Sequence, residues 1–463
     1  MRPLARVALG IAFAFCIAPT HAQEGLLDTG FGGEGNGGKR RIMFNRGDTE
    51  ATRRDYPSGI AVAPDGRIVV VGTVSTPSTV QTGFGVTRLT ANGGPDITFN
   101  FIGGTPTLHF RALAGPSFVG GVAVMSDSRV LVVGGSDNIG IVMRFKADGT
   151  VDPVPGSPSA FFSVIAFQPP GRGTRFVDVA ALPNGSILAA GWIALNAVDF
   201  KRDFIVARFL ESGAIDPSFG NGGFTVVPFD LDDSMEDSAV AMAVAPSGRI
   251  VVVGTVAQTG NNIGVAALTP GGQLDPNFLG VLGTPGKTAF DWLNNSSDRA
   301  ADVAIDSLGR ILITATTNPS GMDVIGVARL QSNGLPDGSF GPSGRRTLVF
   351  FLEPLRAGSI TTDAQNRVYV AGSADTSDIL DAPRNVYVRR LLENGNADGS
   401  FGSSGIASYG HEPDDTGRDD IGVGIALQGD RPVIATAAQF SGADFDFGVA
   451  RLTSATLFTD GFE

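Results

Sequence analysis

Four aspartates in this chain open the same short pattern, an acid followed by alternating small residues and a closing aliphatic. They read "DYPSGI" from Asp55, "DSAVAM" from Asp237, "DRAADV" from Asp298 and "DIGVGI" from Asp420. Carboxylates gathered from such loops can hold calcium, which takes several hard oxygen ligands, or serve as acid and base toward a bound substrate. Other acids crowd the same stretches: Asp230, Asp232, Asp233 and Glu236 before one, Asp414, Asp415 and Asp419 before another. Arg53, Arg54, Arg299 and Arg418 are interleaved with them. The plain alternative is a set of solvated loops with surface ion pairs, each worth little. The candidate ligand or cation site is thus Asp55, Asp237, Asp298 and Asp420, flanked by Asp233 and Asp419, with calcium the metal if one is bound.

A second series has a more structural look. Asp28, Asp96, Asp152, Asp216, Asp275, Asp337 and Asp398 share one place in a repeated unit, and six of them precede a phenylalanine by three residues. An aspartate there can accept backbone N–H bonds within its own turn while the phenylalanine packs inward. A calcium loop gathers several acids within a dozen residues, and these stretches hold one or two.

Other routes to chemistry are thin. Past residue 22 the chain has two histidines, His109 and His411, far apart in the repeat order, with no pair at metal-ligand spacing. No G-x-S-x-G elbow occurs. "GTPGKT" from Gly283 ends like a phosphate loop, but Val281 stands where the first glycine is needed. "RGD" at Arg46 to Asp48 reads as an exposed loop, and Asn184 and Asn295 open acceptor-like tripeptides without further support. No catalytic residue is assigned.

The elements that must position these residues come from an internal repeat. An aliphatic strand, a tight turn and a second aliphatic strand recur as "IAVAPDGRIVVVGT" from Ile60, "VAVMSDSRVLVVGG" from Val122 and "VAALPNGSILAAGW" from Val179. Four more copies start at Met242, Val303, Ile360 and Ile425, so successive starts lie 62, 57, 63, 61, 57 and 65 residues apart. Each is followed by a third strand, "FGVTRL" to Leu89 in the first copy and "FGVARL" to Leu452 in the last, then by the Asp-x-x-Phe segment and a fourth strand. Blade four departs, with Ala267 where most copies have arginine. Four strands in a unit of this length make a propeller blade. The seventh "FGVARL" has only eleven residues after it, whereas "LLDTGFGGEGNGGKRRIMF" near the N-terminus carries an orphan Asp-x-x-Phe segment and a strand over Arg40 to Phe44. The expected fold is all-β: a seven-bladed β-propeller of four-stranded antiparallel blades over 23–463, its ring closed by the N-terminal segment completing the last blade. An open solenoid with capping ends is the alternative.

Bulk properties bound the setting. Arg2 and Arg6, the apolar run Val7 to Ile17 and the small residues ending at Ala22 read as a Sec-type signal peptide over 1–22. Cleavage there would remove Cys16, the one cysteine, and with it any disulfide or thiol chemistry. It would also take the formal charge from −12 to −14. So acidic a chain disfavours nucleic acid and anionic lipid as partners, and no apolar run is long enough to span a membrane. The expectation is an exported monomer, periplasmic or extracellular.

In its "PDGRIVVVG" hairpin, its "ARL" strand and its "D-x-S-FG-x-G" turn the chain resembles the delta-60 repeat family, and more distantly NHL-type propeller repeats. The resemblance implies a β-propeller of the envelope or exterior, without an established activity. The C-terminal "LFTDGFE" reads as a degenerate Asp-x-x-Phe segment. Two functions stay open. One is a binding or structural scaffold for a protein, glycan or surface polymer. The other is a calcium-dependent hydrolase or lyase with a carboxylate cluster at the mouth of the central channel.

Overall fold

The computed structural model describes residues 24–44, 54–75, 82–99, 108–112, 117–153, 164–196, 201–232, 236–258, 260–280, 284–293, 296–319, 321–348, 355–375, 384–411, 418–441 and 444–454. The signal-peptide segment 1–22, the tail "LFTDGFE", and Asp233, Asp414 and Asp415 lie outside them.

Among the described residues, 28 strands form seven antiparallel sheets of four, each in sequence order from the axis outward, apart from one that recruits the first strand of the chain. In blade one the order is Tyr56–Val62, Ile68–Ser75, Thr82–Leu89 and Leu108–Ala112. The chain is a seven-bladed β-propeller. Its seventh sheet comprises Asp420–Gln428, Arg431–Ser441, Asp444–Arg451 and, as fourth strand, the N-terminal Lys39–Ile42. Lys39 stands opposite Ala450 and Ile42 opposite Phe447.

The second strand of each blade shows why the repeat reads as unbroken runs of β-branched residues such as "IVVV". A strand with a sheet packed on both faces buries every side chain, so the usual alternation disappears. Ile68 and Val70 pack against the seventh blade, while Val69 and Val71 face the second. The apolar core is accordingly divided among the interfaces between successive blades, each filled from two sheets, as in the cluster joining Val251, Val253 and Val265 to Val303, Ile311 and Ile313.

Every innermost strand slips register partway along, between Pro57 and Gly59 in blade one and between Ala300 and Asp302 in blade five. Such a bulge places two residues against one and bends the strand. The bulged residues Ser58, Val177, Val240, Ala301, Gly358 and Val423 line the axial channel.

Candidate functional site at the central channel

The repeated turn acids are built into the blade interfaces. In blade five, Asp337 accepts the backbone N–H and hydroxyl of Ser339 at 3.1 and 2.7 Å and the Nε of Arg329 at 2.8 Å. Arg329 also donates to the carbonyl of Glu393 in the next blade and lies 4.6 Å over the ring of Phe340. Burial opposes ionisation of Asp337, but the Ser339 bonds and the arginine outweigh it and hold the carboxyl below its ordinary value. The arginine stands eight residues before the acid, and the pairing recurs as Arg88–Asp96, Arg144–Asp152, Arg208–Asp216 and Arg390–Asp398. Arg451 and Asp28 make it across the two ends of the chain, at 2.8 Å. Blade four, with Ala267, uses another residue: Arg249 from the hairpin turn reaches Asp275 at 2.6 Å and the carbonyl of Ser332 in blade five. The phenylalanine three residues on packs beneath the next blade's turn. At Gly334, where φ is 85°, an added Cβ would lie 2.6 Å from the Phe278 ring, so only glycine fits.

The four acids singled out for ligand binding are also buried, three of them just before the innermost strand of their own blade and Asp420 as its first residue. Asp237 accepts the N–H of Phe229 at 2.9 Å and of Ala257 at 3.1 Å. Asp298 accepts the N–H of Trp292 at 2.6 Å and the hydroxyls of Ser296 and Thr317. Asp420 accepts the N–H of His411 at 2.7 Å, and Asp55 that of Ser75 at 3.2 Å. Burial pushes the carboxyls of Asp237 and Asp298 upward, against these hydrogen bonds. Asp419 accepts the N–H of Arg384 at 3.1 Å, while its own N–H donates to the Gln439 side chain. None of the four acids Asp55, Asp237, Asp298 and Asp420 lines either cavity of the axial channel. N–H and hydroxyl donors occupy oxygens of Asp237 and Asp298 that calcium would need, and no cluster of three potential metal ligands occurs among the described residues.

The crossovers that lead into these blades share a second feature. The ring just after the preceding fourth strand lies on a glycine of the next blade's third strand: Phe44 on Gly85, Phe229 on Gly264, Trp292 on Gly326 and His411 on Gly448. His411 is buried there, and burial lowers its pKa to about 3, helped by the nearby charge of Lys39.

The channel itself holds acids that the sequence reading passed over. Immediately before the hairpin the seven blades carry Gly59, Gly121, Asp178, Ala241, Asp302, Ser359 and Gly424, all lining a cavity of about 220 Å³. Asp178 accepts the N–H of Val179 and, across the blade interface, of Met242, both at 2.8 Å. Asp302 does the same with Val303 and with Ile360 of blade six, at 2.7 and 2.9 Å. Burial drives the Asp178 carboxyl up to about 7; the Met242 N–H resists this and the charge of Asp302 adds to it. Asp302 is raised by burial as well. The signal was present in the aligned repeats: two acids at a position otherwise filled by glycine, alanine or serine.

Three residues earlier on these strands is a more varied position. It holds Tyr56, Phe118, Arg175, Ser238, Arg299, Arg356 and Ile421. Near Arg299 and Arg356 the channel opens into a second cavity of about 450 Å³, continuous with the first through Val240, Ala301, Gly358 and Val423.

The fold and its axial channel define a β-propeller repeat protein. Residues 63–99, 182–219 and 245–278 match a family described as a domain of unknown function (DUF5122) β-propeller. A comparison with curated protein sequences gives no match. Among solved structures, a protein of unknown function from Dyadobacter fermentans is 12% identical, with 90% of this chain and 99% of that one covered and a TM-score of 0.40. The β-propeller domain of the trilobed protease from Pyrococcus furiosus is 9% identical, at 88% and 99% coverage and a TM-score of 0.41. The intramolecular trans-sialidase from Ruminococcus gnavus is 9% identical, at 89% and 97% coverage and a TM-score of 0.41. No helix among the described residues is long and apolar enough to cross a membrane.

Proposed function

We propose that this chain is an exported binding module of the delta-60 repeat type, a rigid propeller that presents its channel mouth to a protein, glycan or surface polymer. One observation carries this reading. The framework positions repeat from blade to blade, whereas the residue four before each hairpin changes class, from tyrosine and phenylalanine to arginine, serine and isoleucine. A scaffold that holds its frame constant and varies one ring of side chains around an opening is organised for recognition.

The enzymatic alternative has weaker support. Asp178 has a carboxyl pKa suited to proton transfer near neutrality, but both its oxygens already accept backbone N–H bonds. The test is a glycan and protein array probed with the purified protein, run beside ester, lactone and polysaccharide turnover assays. Saturable binding without turnover supports the module. Turnover abolished by Asp178→Ser would replace it with the enzyme.

A further inference from the structure

The larger cavity at the channel mouth has chemistry of its own. Arg299 and Arg356 start from the same aligned position on the innermost strands of neighbouring blades, so their guanidinium groups leave adjacent backbones at one level and line one cavity. Other strand arginines are committed: at the blade interfaces Arg88, Arg208, Arg329 and Arg451 carry an aspartate, a carbonyl and a phenylalanine ring each. Arg356 is exposed and has no ion-pair partner among the described residues. Arg299, its side chain 59% exposed, has one contact at 3.3 Å to Asp323. In a chain of net charge −12, two arginines on one cavity wall, one of them sharing a single exposed contact with Asp323, are a local reversal of sign.

The hydroxyl groups behind them strengthen the case. Ser373 is 2% exposed, lines this cavity and has a buried Oγ without a hydrogen-bond partner. A buried hydroxyl left unsatisfied costs free energy that a ligand atom can recover. Thr316 accepts the N–H of Ala357 at 3.0 Å through Oγ1, which leaves its own O–H free to donate. The wall therefore offers two planar, bidentate cations with hydroxyl donors between them, and Ala300, Ala357 and Ile421 as apolar floor. Arginine pairs of this kind bind carboxylate in a fork geometry. The volume falls in the range of about 300–1,000 Å³ usual for small-ligand sites. Deeper in the channel Asp178 and Asp302 limit how far an anion can enter, so a charged group must stop at the arginines.

We propose that this mouth binds an acidic sugar, its carboxylate clamped by Arg299 and Arg356 and its ring hydroxyls met by Ser373 and Thr316. The proposal rests on the binding-module reading and names its ligand class. The two hydroxyls at this wall match the ring hydroxyls of a sugar, which an acidic peptide lacks, and a bare inorganic anion would leave the rest of the cavity unfilled.

Isothermal titration with a digalacturonate, its neutral digalactose counterpart, sodium sulfate and tri-glutamate decides it. Digalacturonate should bind at least tenfold more tightly than the other three, and binding should weaken as salt rises. Arg356→Ala should lose tenfold or more in affinity and Arg356→Lys less, while Ser373→Ala should lose a smaller factor; thermal midpoints check that each variant is folded. Equal affinity for tri-glutamate or sulfate, or digalacturonate affinity unchanged in both Arg299→Ala and Arg356→Ala, overturns the proposal. Binding of another array ligand that survives both substitutions would sink this site while leaving the module intact; no binding at all together with turnover would sink the module.

Discussion

Arg67 in blade one and Arg249 in blade four occupy the same place in the repeat, immediately after the hairpin turn, yet truncating them should have unlike effects. Arg249 is the one cation paired with Asp275 among the described residues, at 2.6 Å, because Ala267 stands where the other blades place an arginine; the other carboxylate oxygen accepts the N–H of Asn277 at 2.9 Å. Asp275 is 5% exposed. Arg249→Ala leaves a buried carboxylate with its cation gone and the carbonyl of Ser332 unpaired. Breaking a fully buried pair costs about 3–5 kcal/mol. The Arg249 side chain is 21% exposed, so water recovers part of that, and about 2–3 kcal/mol remains. Arg67 approaches Asp96 at only 3.3 Å, and Asp96 keeps Arg88 at 2.6 Å whether or not Arg67 is present. Its other partner, Asp65, is exposed, so Arg67→Ala should cost about 0–1 kcal/mol.

Urea unfolding reads the difference, followed by circular dichroism and by the fluorescence of Trp292, which is buried between blades four and five. A double-mutant cycle isolates the pairs: the Arg249–Asp275 coupling should be about 2 kcal/mol and the Arg67–Asp96 coupling under about 0.5 kcal/mol. Ala267→Arg in the Arg249→Ala background should restore part of the loss, since it recreates the pairing of the other blades. Equal costs for the two arginine truncations, or no coupling at Arg249–Asp275, would refute the reasoning that these ion pairs join the blades.

Three further outcomes follow from the buried acids and the buried histidine. His411 is neutral in the fold with a pKa near 3 against an ordinary 6.5, so its contribution is present above pH 6.5 and is lost as pH falls toward 3; at pH 5 the deficit is about 2 kcal/mol, and His411→Phe, which copies the ring of blades one and four, should flatten the thermal midpoint across that window. Asp178 has the opposite sign: its folded value, raised to about 7 from 3.8, means stability present below about pH 4 and lost as pH rises from there through 7, so Asp178→Ser should remove up to about 1.4 kcal/mol per pH unit from the slope within that window, measured by urea midpoints between pH 4 and 8. Asp298→Ala strands the N–H of Trp292 and the hydroxyls of Ser296 and Thr317 and should cost about 2–4 kcal/mol; neither EDTA nor added calcium should move the midpoint of the parent or of this variant, and a calcium-dependent rise lost in Asp298→Ala would restore the metal reading.

The parts of this molecule that were legible in the sequence are those where one residue type answers one local need. The hairpins around "PDGR", the aliphatic runs buried on both faces and the Asp-x-x-Phe turns each follow from turn chemistry or from double-sided packing, and each recurs often enough to be aligned. Partnerships were less legible, because they join residues from different units. The pairing of Arg329 with Asp337 has a constant spacing of eight through most of the repeats and could have been found. Its extension to the carbonyl of Glu393 belongs to the next blade and has no sequence signature.

The four crossover aspartates are tied to the packing around them. Asp55, Asp237, Asp298 and Asp420 occur in the same four blades whose third strand carries a glycine, at Gly85, Gly264, Gly326 and Gly448. Blades two, three and six have Ile141, Ile205 and Tyr387 there, and Ser117, Thr174 and Leu355 in place of the acid. The cause is geometric. A ring that drops from the crossover onto the next blade requires that the residue beneath it have no Cβ, since at Gly326 one would meet Trp292 at 2.7 Å. Turning the backbone inward to deliver the ring buries its N–H, and a buried donor needs an acceptor. The aspartate supplies it in the three blades where the bond is seen, to Phe229, Trp292 and His411. Acid, ring and glycine are therefore one packing unit spread over two blades, and an acid that follows a glycine elsewhere in its own repeat reports a fold requirement before it reports a ligand. Asp178 and Asp302 occur whether or not that glycine is present: the third strands of their blades read "FIVARF" and "IGVARL", the first without it and the second with it. That independence from the packing code, together with a shared wall on the channel, sets those two apart from the repeated acids.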